Sequence, residues 1–327
     1  MITEKKDRQT FPECLVIGDL NIDIIMCGLK VLPDLGTEIL AQNYNLVVGG
    51  SGGIFSSILS SLGIRTGIIS KIGNDYFGHH LIECLKKSGT YTDDIIISKD
   101  SVTGLTINLS YEQDKSQITS IETVKKLSFS EISLKKIEQI KHIHFSSYYI
   151  MQNLKKDYAQ FIKKIKSLSK NITFSFDTNY DPEEKWDSEI FDILPLVDIL
   201  FLNENEALNI SKQTDRKRAA YKLAETVPKV IIKLGKEGQL AIIDGKEYRF
   251  RCNNTLNDNF IDGTGAGDNF DAGFIFCFLK DFPIEKTMEF ANYCAEKSIE
   301  YIGGVGEESK FNDIREKYDI VKQKERL

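Results

Sequence analysis

A run of small residues, an acid and an apolar segment stand together at Asp262–Phe274, DGTGAGDNFDAGF. The glycines between Gly263 and Gly267 let a backbone approach a ligand without interference from a Cβ atom. If a helix begins near Gly265, its free N–H groups and positive dipole end bind an anion, and Asp268 lies in the same first turn. Phosphoryl transfer to an alcohol requires this pairing of phosphate donors with a base. A helix that merely carries an acid in its first turn explains the same residues without a function.

A pair of polar residues follows the first apolar strand. The strand Cys14–Ile17 ends at Gly18, and the sequence GDLNID continues from there. Alternation in an extended segment places Asn21 and Asp23 on one face. These side chains could hydrogen-bond a polyol, or they could lie on a solvated strand edge, and the residues alone leave both interpretations open.

A second glycine-rich loop begins a helix within Val47–Gly63, VVGGSGGIFSSILSSLG. Apolar residues from Ile54 to Leu62 repeat at helical spacing, and Gly63 is a typical C-terminal cap. Neither G-x-G-x-x-G nor G-x-x-x-x-G-K-[ST] occurs in this loop. A dinucleotide-binding Rossmann site and a P-loop are therefore poorly supported.

Polar residues also follow several strands of the predicted sheet. Asp177 and Asn179 could bind a hydroxyl or a hydrated cation, or they could form an Asx turn. Asn203 and Glu206 could hold Mg²⁺ through water, although a helix cap with first-turn acids explains them by itself. The loop Lys233–Gly238 either lets a nucleotide pass or is a plain turn between strands.

The four histidines give no clear catalytic or metal site. His142 and His144 share a strand face, but no third ligand with fitting spacing accompanies them. No Ser-His-Asp or Cys-His arrangement can be identified, because nothing in the sequence connects the four histidines with a nucleophile.

The composition is typical of a globular protein. The chain has 327 residues, of which 28% are charged and 41% hydrophobic, and a net charge of −6. This charge argues against nucleic-acid and membrane-surface partners, but backbone donors and a metal ion can still balance a nucleotide. The six cysteines are scattered without a C-x-x-C pair, and no apolar run approaches the length of a membrane span. We therefore expect a soluble, cytoplasmic protein with reduced thiols.

Strands and helices alternate along most of the chain, which predicts a mostly parallel sheet with helices on both faces. Ligand sites in such sheets lie beyond the carboxyl ends of the strands. A hairpin at Thr103–Ser110 and Ser116–Ile121 interrupts the alternation, and together with Ile24–Val48 it predicts a small separate sheet. The predicted helices include Glu131–Ile140 and Trp186–Val197.

From about Cys14 to Gly306, the chain resembles the ribokinase-like carbohydrate kinases, also called the phosphofructokinase-B family. DGTGAGD is similar to the specific C-terminal signature of that family, and GDNFDAGF strengthens the match. GDLNID, the GGSGG…LG block and GNDYFG are similar to its N-terminal markers and occur in the same order. NENE, KLGKEG and FANYCAEKSIEYIGG match weaker motifs.

The resemblance implies a single α/β domain over residues 1–327, a three-layer sandwich with a mostly parallel central sheet. Lid segments at about 22–48 and 95–121 would be inserted in this core and form a small β-sheet. The implied activity is ATP-dependent phosphorylation of a primary hydroxyl group of a small sugar. ATP and Mg²⁺ are the implied cofactors, and a monovalent cation such as K⁺ is compatible with the family. The implied partners are the sugar and ATP, without nucleic acid or membrane, and the lid is often a homodimer surface in this family.

The same resemblance assigns roles to individual residues. It implies that Asp268 is the catalytic base and that Gly265, Ala266 and Gly267 form the anion hole. The other implied contacts are Asn21, Asp23, Gly49, Gly50, Asp177 and Asn179 for the acceptor, Asn203, Lys233, Gly235, Gly238 and Asn292 for the nucleotide, and Asn203 and Glu206, through water, for magnesium.

Three departures from the family pattern concern the acceptor. Ile54 occupies an acceptor-binding position where the family usually has an Asn that contacts the sugar. Asp181 replaces an Arg of sugar-acid and fructose kinases, which argues against a charged acceptor, although Lys185 could compensate. Gln117 corresponds roughly to an Arg that is common in the lid hairpin. These departures leave the chemistry intact and the identity of the acceptor open.

Two alternatives to a sugar kinase remain at this stage. One is a nucleoside kinase of the same family, in which Tyr44, Phe55 or Tyr111 could stack a base, although core or lid packing also explains them. The other is a regulator that binds a sugar or nucleotide without turnover. Asp268 and the Gly-Ala-Gly loop argue against the regulator, and Ile54 argues mildly for it.

Overall fold

The computed structural model describes residues 11–110, 115–135, 137–252, 260–306, 314 and 316. Its strands are β1 (Cys14–Ile17), β2 (Asn21–Cys27), β3 (Asn43–Gly49), β4 (Thr66–Ile69), β5 (Lys71–Gly73), β6 (Ile96–Ser98), β7 (Gly104–Ser110), β8 (Lys115–Ser120), β9 (His142–Phe145), β10 (Thr173–Asp177), β11 (Ile199–Asn203), β12 (Lys229–Lys233), β13 (Gln239–Ile243) and β14 (Lys246–Phe250). Its α-helices are α1 (Ser51–Ser61), α2 (Tyr76–Lys87), α3 (Tyr158–Leu168), α4 (Glu204–Ser211), α5 (Arg216–Ala224), α6 (Ala266–Phe278) and α7 (Ile284–Ser298). Within these ranges, no helix has both the length and the apolar character needed to cross a bilayer.

Eight strands form one large sheet in the order β14-β13-β12-β11-β10-β9-β1-β4. Pairing is parallel from β4 through β12, and it is antiparallel where β13 and β14 extend the sheet. The carboxyl ends of β1, β9, β10, β11 and β12 therefore lie along one edge. Side chains that follow these strands are brought together at that edge, where ligands bind in open α/β sheets.

Two apolar cores cover the two faces of the large sheet. Leu15 and Ile17 of β1 belong to the core that α3, α4 and α5 complete, whereas Cys14 and Val16 belong to the core of α1, α2, α6 and α7. This division follows from the strand geometry, because successive side chains point to opposite faces. The chain thus forms three layers, which confirms the predicted α/β sandwich with a mostly parallel central sheet.

A second sheet, here called the small sheet, has the order β3-β2-β7-β8. It confirms the predicted association of the segment from Ile24 to Val48 with the hairpin of β7 and β8, while residues 111–114 of the hairpin turn lie outside the described residues. Strand β6 pairs with β5 instead, so the beginning of the segment 95–121 does not join the small sheet. Only residues 18–20 separate β1 from β2. Strand β2 therefore begins close to the carboxyl edge of the large sheet, and Asn21 and Asp23 lie at this end of the strand.

The predicted helix Glu131–Ile140 is wrong. A 3₁₀ turn at Phe129–Glu131 ends at Ile132, whose φ of −87° and ψ of 121° are extended, and a second turn covers Ile137–Gln139. Ile132 and Ile137 are both buried. The apolar spacing therefore anchors two separate turns in the core, which periodicity alone does not distinguish from a helix.

The predicted helix Trp186–Val197 is also wrong. Two 3₁₀ segments, Ser188–Asp192 and Leu194–Leu196, replace it. Pro195 has no N–H group for a helix interior, and it lies at the start of the second segment, where that group is not needed. The proline thus divides the apolar pattern into two short turns.

Candidate active site

The predicted anion-binding stretch Gly263–Gly267, here called the anion loop, leads into α6. Gly265 caps this helix with a φ of 75°. This left-handed conformation favours glycine, and a Cβ atom on Gly265 would lie 2.5 Å from Gly304 Cα. Asp262 fixes the preceding turn by accepting hydrogen bonds from Thr264 N at 3.0 Å and Gly303 N at 2.9 Å. The turn before α6 is therefore fixed in place. Together with the first N–H groups of the helix, such a turn can bind phosphate oxygens.

Asp268 lies in the first turn of α6. Burial raises its pKa to about 7, the carboxylate of Asp177 adds to this shift, and Lys233 and a hydrogen bond with Ser51 oppose it. A carboxyl group with this pKa accepts a proton more readily than an ordinary aspartate and is still partly ionised at neutral pH. Asp268 thus has the position and the proton affinity that a general base needs.

A buried ion triad lies next to Asp268. Lys233 Nζ is 2.8 Å from Asp177 Oδ2 and 2.9 Å from Asp271 Oδ2. Burial alone would raise the pKa of Asp177, but Lys233 outweighs it and the pKa falls to about 2. Burial keeps the pKa of Asp271 well above its ordinary value, and Asp271 hydrogen-bonds Asp177. Lys233 Nζ would lie 3.2 Å from a Cβ atom on Gly267, so the lysine that we assigned to the nucleotide loop places its charge beneath the anion loop.

Asn203 and Glu206 form a capping box at the beginning of α4. Asn203 Oδ1 accepts from Glu206 N at 2.9 Å, and Asn203 N and Nδ2 donate to the Glu206 carboxylate at 2.8 and 2.7 Å. Burial, together with the nearby carboxylate of Asp177, raises the pKa of Glu206 to about 8. The cap explains the contacts between the two residues. Burial and the Asp177 carboxylate both favour the protonated form of Glu206, and a cation bound nearby would favour its carboxylate instead.

The second glycine loop is closed by Asp19, which the sequence analysis did not single out. Asp19 accepts hydrogen bonds from Ser51 N at 3.2 Å and Gly52 N at 3.1 Å, at the N terminus of α1. Gly50 has a φ of 76°, and its Cβ atom would lie 2.9 Å from Asp19 O. The Asp19 carboxylate thus lies where an external anion would otherwise bind at the N terminus of α1. These contacts also fix the position of the second glycine loop beside the candidate site.

Asn21 and Asp23 are buried on one face of β2. Glycines on the neighbouring strands make room for them, because a Cβ atom on Gly104 would collide with the Asn21 amide and one on Gly49 with the Asp23 carboxylate. Asn21 Oδ1 is buried and has no hydrogen-bond partner in the part of the chain that the structure describes. A buried amide oxygen in this state costs free energy unless a bound group satisfies it.

Two of the three departures from the family pattern have clear structural roles. Gln117 Nε2 donates to Asn108 Oδ1 at 2.5 Å, and Asn108 Nδ2 donates to Asp23 Oδ2 at 3.3 Å. A hydrogen-bonded chain of two amides and one carboxyl group, without a positive charge, therefore crosses three strands of the small sheet. Ile54 is buried, and its Cδ1 atom would lie 3.1 Å from a Cβ atom on Gly265. Ile54 thus packs against the anion loop at Gly265.

The third departure, Asp181, stabilises a turn. Its carboxylate accepts from Glu183 N at 3.0 Å and from Trp186 N at 2.7 Å. Lys185, which could have compensated for the missing Arg, pairs with Glu183 at 2.5 Å on the surface. Asp181 and Lys185 are therefore both engaged in local contacts.

Gly235, Gly238 and Asn292 form a separate group beyond β12. No atom lies within 4 Å of a Cβ position on Gly235, whereas a Cβ atom on Gly238 would collide with the Phe250 carbonyl oxygen. Asn292 Oδ1 accepts a hydrogen bond from Gln239 Nε2. Gln239 Oε1 is buried and has no partner among the described residues. This group thus combines an open backbone loop with a polar floor.

Asn179 connects the second glycine loop to the strand ends. It has a left-handed φ of 55°, and its N–H group donates to Asp177 Oδ1 at 2.9 Å in the predicted Asx turn. Its Nδ2 atom donates to Ser51 Oγ and Ser147 Oγ at 2.7 and 2.9 Å. Asp177 at the end of β10 and Asn179 just after it therefore belong to one hydrogen-bonded network at the carboxyl edge of the large sheet.

Sequence reasoning missed four residues of this site: Asp19, Ser51, Ser147 and Asp271. Asp271 lies three positions after Asp268, a spacing that places both on one helix face, and Asp19 directly follows a strand end. Either signal could have identified these acids. The two serines carry no such signal, because serine is common in loops and turns.

His142 and His144 are hydrogen-bonded residues of the core. His142 Nε2 and His144 Nδ1 each lie 2.7 Å from Ser175 Oγ, and His144 stacks on Phe55 with ring centroids 3.8 Å apart. Burial lowers the pKa of both histidines to about 3. Among the described residues, no group of three or more His, Cys, Asp and Glu could hold a metal ion.

The buried histidines predict a loss of stability in acid. Because their pKa values are about 3 in the folded state against 6.5 ordinarily, their contribution is complete above pH 6.5 and is lost as the pH falls toward 3. We expect each histidine to lower the free energy of unfolding by about 1.4 kcal/mol for every unit by which the pH falls within this window. Urea titrations at several pH values measure the loss, which His144→Gln should reduce and His79→Gln, at an exposed position of α2, should not. Equal pH dependence in wild type and His144→Gln would contradict this prediction.

Known proteins resemble this chain over nearly its whole length. An ATP-dependent 6-phosphofructokinase of Thermoanaerobacterium thermosaccharolyticum is 27% identical over 95% of this chain and 98% of its own. A nucleoside kinase of Methanothermobacter thermautotrophicus is 24% identical over 88% and 89% of the two chains. The ribokinase of Arabidopsis thaliana, solved with ribose and ATP, has a TM-score of 0.77 at 20% identity and covers 94% of this chain and 99% of its own. Because the family model for pfkB family carbohydrate kinases matches residues 12–309, this chain, with its ribokinase-like fold, belongs to that family.

Proposed function

We propose that this protein is an ATP-dependent kinase that transfers the γ-phosphate of ATP to a primary hydroxyl group of a small, neutral carbohydrate. Asp268 carries the proposal, because its pKa is raised to about 7 and it lies in the first turn of the helix that the anion loop begins. The base and the phosphate site are therefore within one helical turn of each other. Positioning and electrostatic stabilisation of this kind supply most of what phosphoryl transfer needs.

The proposed reaction uses these groups in one step. Asp268 accepts the proton of the acceptor hydroxyl while the hydroxyl oxygen forms a bond to the γ-phosphorus. The bond between this phosphorus and the bridging oxygen breaks, and ADP leaves. The N–H groups of Gly265, Ala266 and Gly267 would stabilise the charge on the transferring phosphoryl oxygens, with the dipole of α6. Lys233 adds a positive charge beneath this loop.

Because no group of three His, Cys, Asp or Glu side chains among the described residues could hold a metal ion directly, a magnesium ion beside the anion loop would be bound mainly through water. Glu206, Asp177 and Asp268 form a buried acidic group that Lys233 balances only in part, since burial and the neighbouring carboxylates raise the pKa of Glu206 to about 8. Asn203 and Glu206 already bind each other, so they would hold Mg²⁺ through water, as this ion often prefers. When bound, the ion supplies charge neutralisation for the phosphates of ATP.

The proposed nucleotide pocket is the open loop beyond β12. Gly235 presents backbone without a side chain, and the polar floor of Gln239 and Asn292 lies beside it. The unpartnered Gln239 Oε1 could accept a hydrogen bond from an exocyclic amine. These features support adenine binding at the edge that also carries the anion loop.

The acceptor site favours a neutral sugar. Asn21 and Asp23 offer an amide and a carboxylate, and Asn108 and Gln117 extend this face without a positive charge. A phosphate or carboxylate on the acceptor would lie near Asp23 and would find a neutral glutamine at the position of the family's common Arg. Like charges at short range disfavour such an acceptor.

The aromatic residues support a nucleoside acceptor less well. Phe55 is fully buried and stacks on His144, and Tyr44 is 70% exposed on β3. Tyr111 lies outside the described residues. A ring already packed in the core and a ring largely in solvent are both poor platforms for a base.

A coupled assay of ADP release across pentoses, hexoses, sugar acids, sugar phosphates and nucleosides tests the proposal. We expect turnover with a neutral sugar. ATP binding without turnover on the whole panel would support the silent regulator instead, and turnover confined to charged sugars or nucleosides would contradict the neutral acceptor. Dimerisation through the small sheet and dependence on K⁺ stay predictions.

A further inference from the structure

Asn269 directly follows the proposed base in α6, and its side chain is fully buried. Its Nδ2 atom donates to two backbone carbonyl groups, Gly265 O at 2.9 Å and Gly304 O at 2.8 Å. Because a carbonyl oxygen only accepts, the nitrogen of the amide must face both of them. Both amide hydrogens of Asn269 are therefore used to hold backbone that lies 35 and 4 positions away.

These two carbonyl groups belong to segments that touch each other. A Cβ atom on Gly265 would lie 2.5 Å from Gly304 Cα, so the anion loop packs closely on the segment Gly303–Gly304. Asp262 connects the same two segments, because its carboxylate accepts from Gly303 N at 2.9 Å. The anion loop is thus tied to this segment by a carboxylate that precedes the loop and by an amide that follows it.

The contact with Gly265 O also bears on the direction of the next N–H group. In a planar trans peptide, the carbonyl oxygen of one residue and the N–H group of the next point in opposite directions. Gly265 O accepts from both Asn269 N and Asn269 Nδ2 at 2.9 Å, so the Ala266 N–H group points away from Asn269. Its contact with Gly263 O is 3.4 Å long. This length is beyond the usual range for a hydrogen bond, so a phosphate oxygen can replace the contact.

The remaining atom of the amide indicates that Asn269 does more than stabilise the fold. Asn269 Oδ1 is buried and has no hydrogen-bond partner in the part of the chain that the structure describes. A buried amide oxygen without a partner costs free energy, and an apolar side chain would avoid this cost. The two donated hydrogen bonds are what an apolar side chain at this position would lose.

We infer that Asn269 is a positioning residue of the anion hole: its amide holds Gly265 O and Gly304 O together and thereby fixes the direction of the Ala266 and Gly267 N–H groups. This inference rests on the proposed function, since those groups would act on the transferring phosphoryl group. Donors that are fixed before the reaction stabilise charge in the transition state without having to reorganise. Asn269 acts only through the backbone and does not contact the substrate.

Asn269→Ala tests the inference through the separate effects on kcat and KM. We expect kcat to fall by about tenfold or more, because loss of one donor of an oxyanion hole costs about 10²- to 10³-fold and here the donors remain but lose their fixed direction. KM for ATP and for the acceptor should change little, since the lost contribution belongs to the transition state. Urea unfolding shows whether the variant is folded. An unchanged kcat, or a raised KM for ATP without a change in kcat, would overturn the inference.

Two further variants separate this role from a general effect on a helix. Asn269→Ser has a single hydroxyl hydrogen, which can bond the carbonyl group four residues earlier, here Gly265 O, and it should recover part of the lost kcat. Asn209→Ala is the matched control, because Asn209 Nδ2 donates to Asn205 O, also four residues earlier, at 2.8 Å near the end of α4. The control should keep wild-type kcat. Equal losses of kcat in Asn269→Ala and Asn209→Ala would contradict the inference.

Backbone ¹⁵N relaxation of the ligand-free protein tests the positioning role without turnover. The order parameters of Ala266 and Gly267 should be near the value of rigid backbone, about 0.85, in the wild type and should fall toward the flexible range, below about 0.6, in Asn269→Ala. Order parameters that are equal in the two proteins would overturn the inference and leave the kinase proposal standing. A wild type that turns over no acceptor would overturn the kinase proposal, whereas lower order parameters in the variant would still support the fixing of the loop by Asn269.

Discussion

Replacement of Asp268 by Asn should lower kcat by about 10²- to 10⁴-fold, the usual scale for the loss of a general base. Asn has nearly the shape of Asp, but its amide cannot accept the proton of the acceptor hydroxyl. The fold should be retained, because the wild-type carboxyl group is buried and burial raises its pKa. A neutral amide at this position avoids the cost of burying a charge. ADP release measures kcat, and urea unfolding measures stability.

ATP binding separates a loss of chemistry from a loss of the site. Calorimetry should show that Asp268→Asn still binds ATP, because the donors of Gly265–Gly267 are backbone N–H groups. Asp281→Asn, at an exposed position just beyond the end of α6, is the matched control and should keep wild-type kcat. An unchanged kcat in Asp268→Asn would overturn the assignment of the base.

Lys233→Met should lower the free energy of unfolding at neutral pH by about 3–5 kcal/mol, because it leaves buried carboxyl groups without their cation. Lys233 lies 2.8 Å from Asp177 and 2.9 Å from Asp271. Burial would raise the pKa of Asp177, but the charge of Lys233, aided by hydrogen bonds from Asp271 and the Asn179 N–H group, brings it down to about 2. The stability that this low pKa supplies is present above pH 3.8 and is lost as the pH falls toward 2. The difference between wild type and variant should therefore shrink in acid.

Lys185→Met is the matched control for this prediction. Lys185 is 73% exposed and pairs with Glu183 on the surface, and exposed pairs contribute about 0–1 kcal/mol. Lys233→Met should also lower kcat, because the positive charge beneath Gly267 is lost. Equal urea midpoints for the two variants at neutral pH would contradict the role of the buried triad.

Features that depend on neighbouring residues could be predicted from the sequence. The glycines before Asp268 predicted a helix that begins near Gly265, and this start places Asp268 in the first turn. The prediction was possible because the geometry of a helix cap is set by the residues of the cap itself. The hairpin of β7 and β8 was predicted for the same reason, since alternation and a polar turn are local signals. The proposed base and anion hole are of this kind.

Features that depend on distant partners could not be predicted. Lys233 was assigned to a nucleotide loop because glycines follow it, yet its ammonium group binds Asp177, 56 positions away, and Asp271, 38 positions away. Periodicity describes one element at a time and does not show which side chains meet across a sheet. The two wrong helices have a related cause, because Ile132 is extended between two turns and Pro195 begins one.

The pH dependence of kcat, with saturating ATP and the best neutral sugar, tests most directly whether Asp268 accepts the proton of the acceptor beside the anion loop. Since burial raises the pKa of Asp268 to about 7, kcat should rise through a single acid limb near pH 7 and level off above it. The residual activity of Asp268→Asn should lack this limb. A wild-type kcat that is flat across the limb, or a limb near pH 7 that survives in Asp268→Asn, would contradict the account.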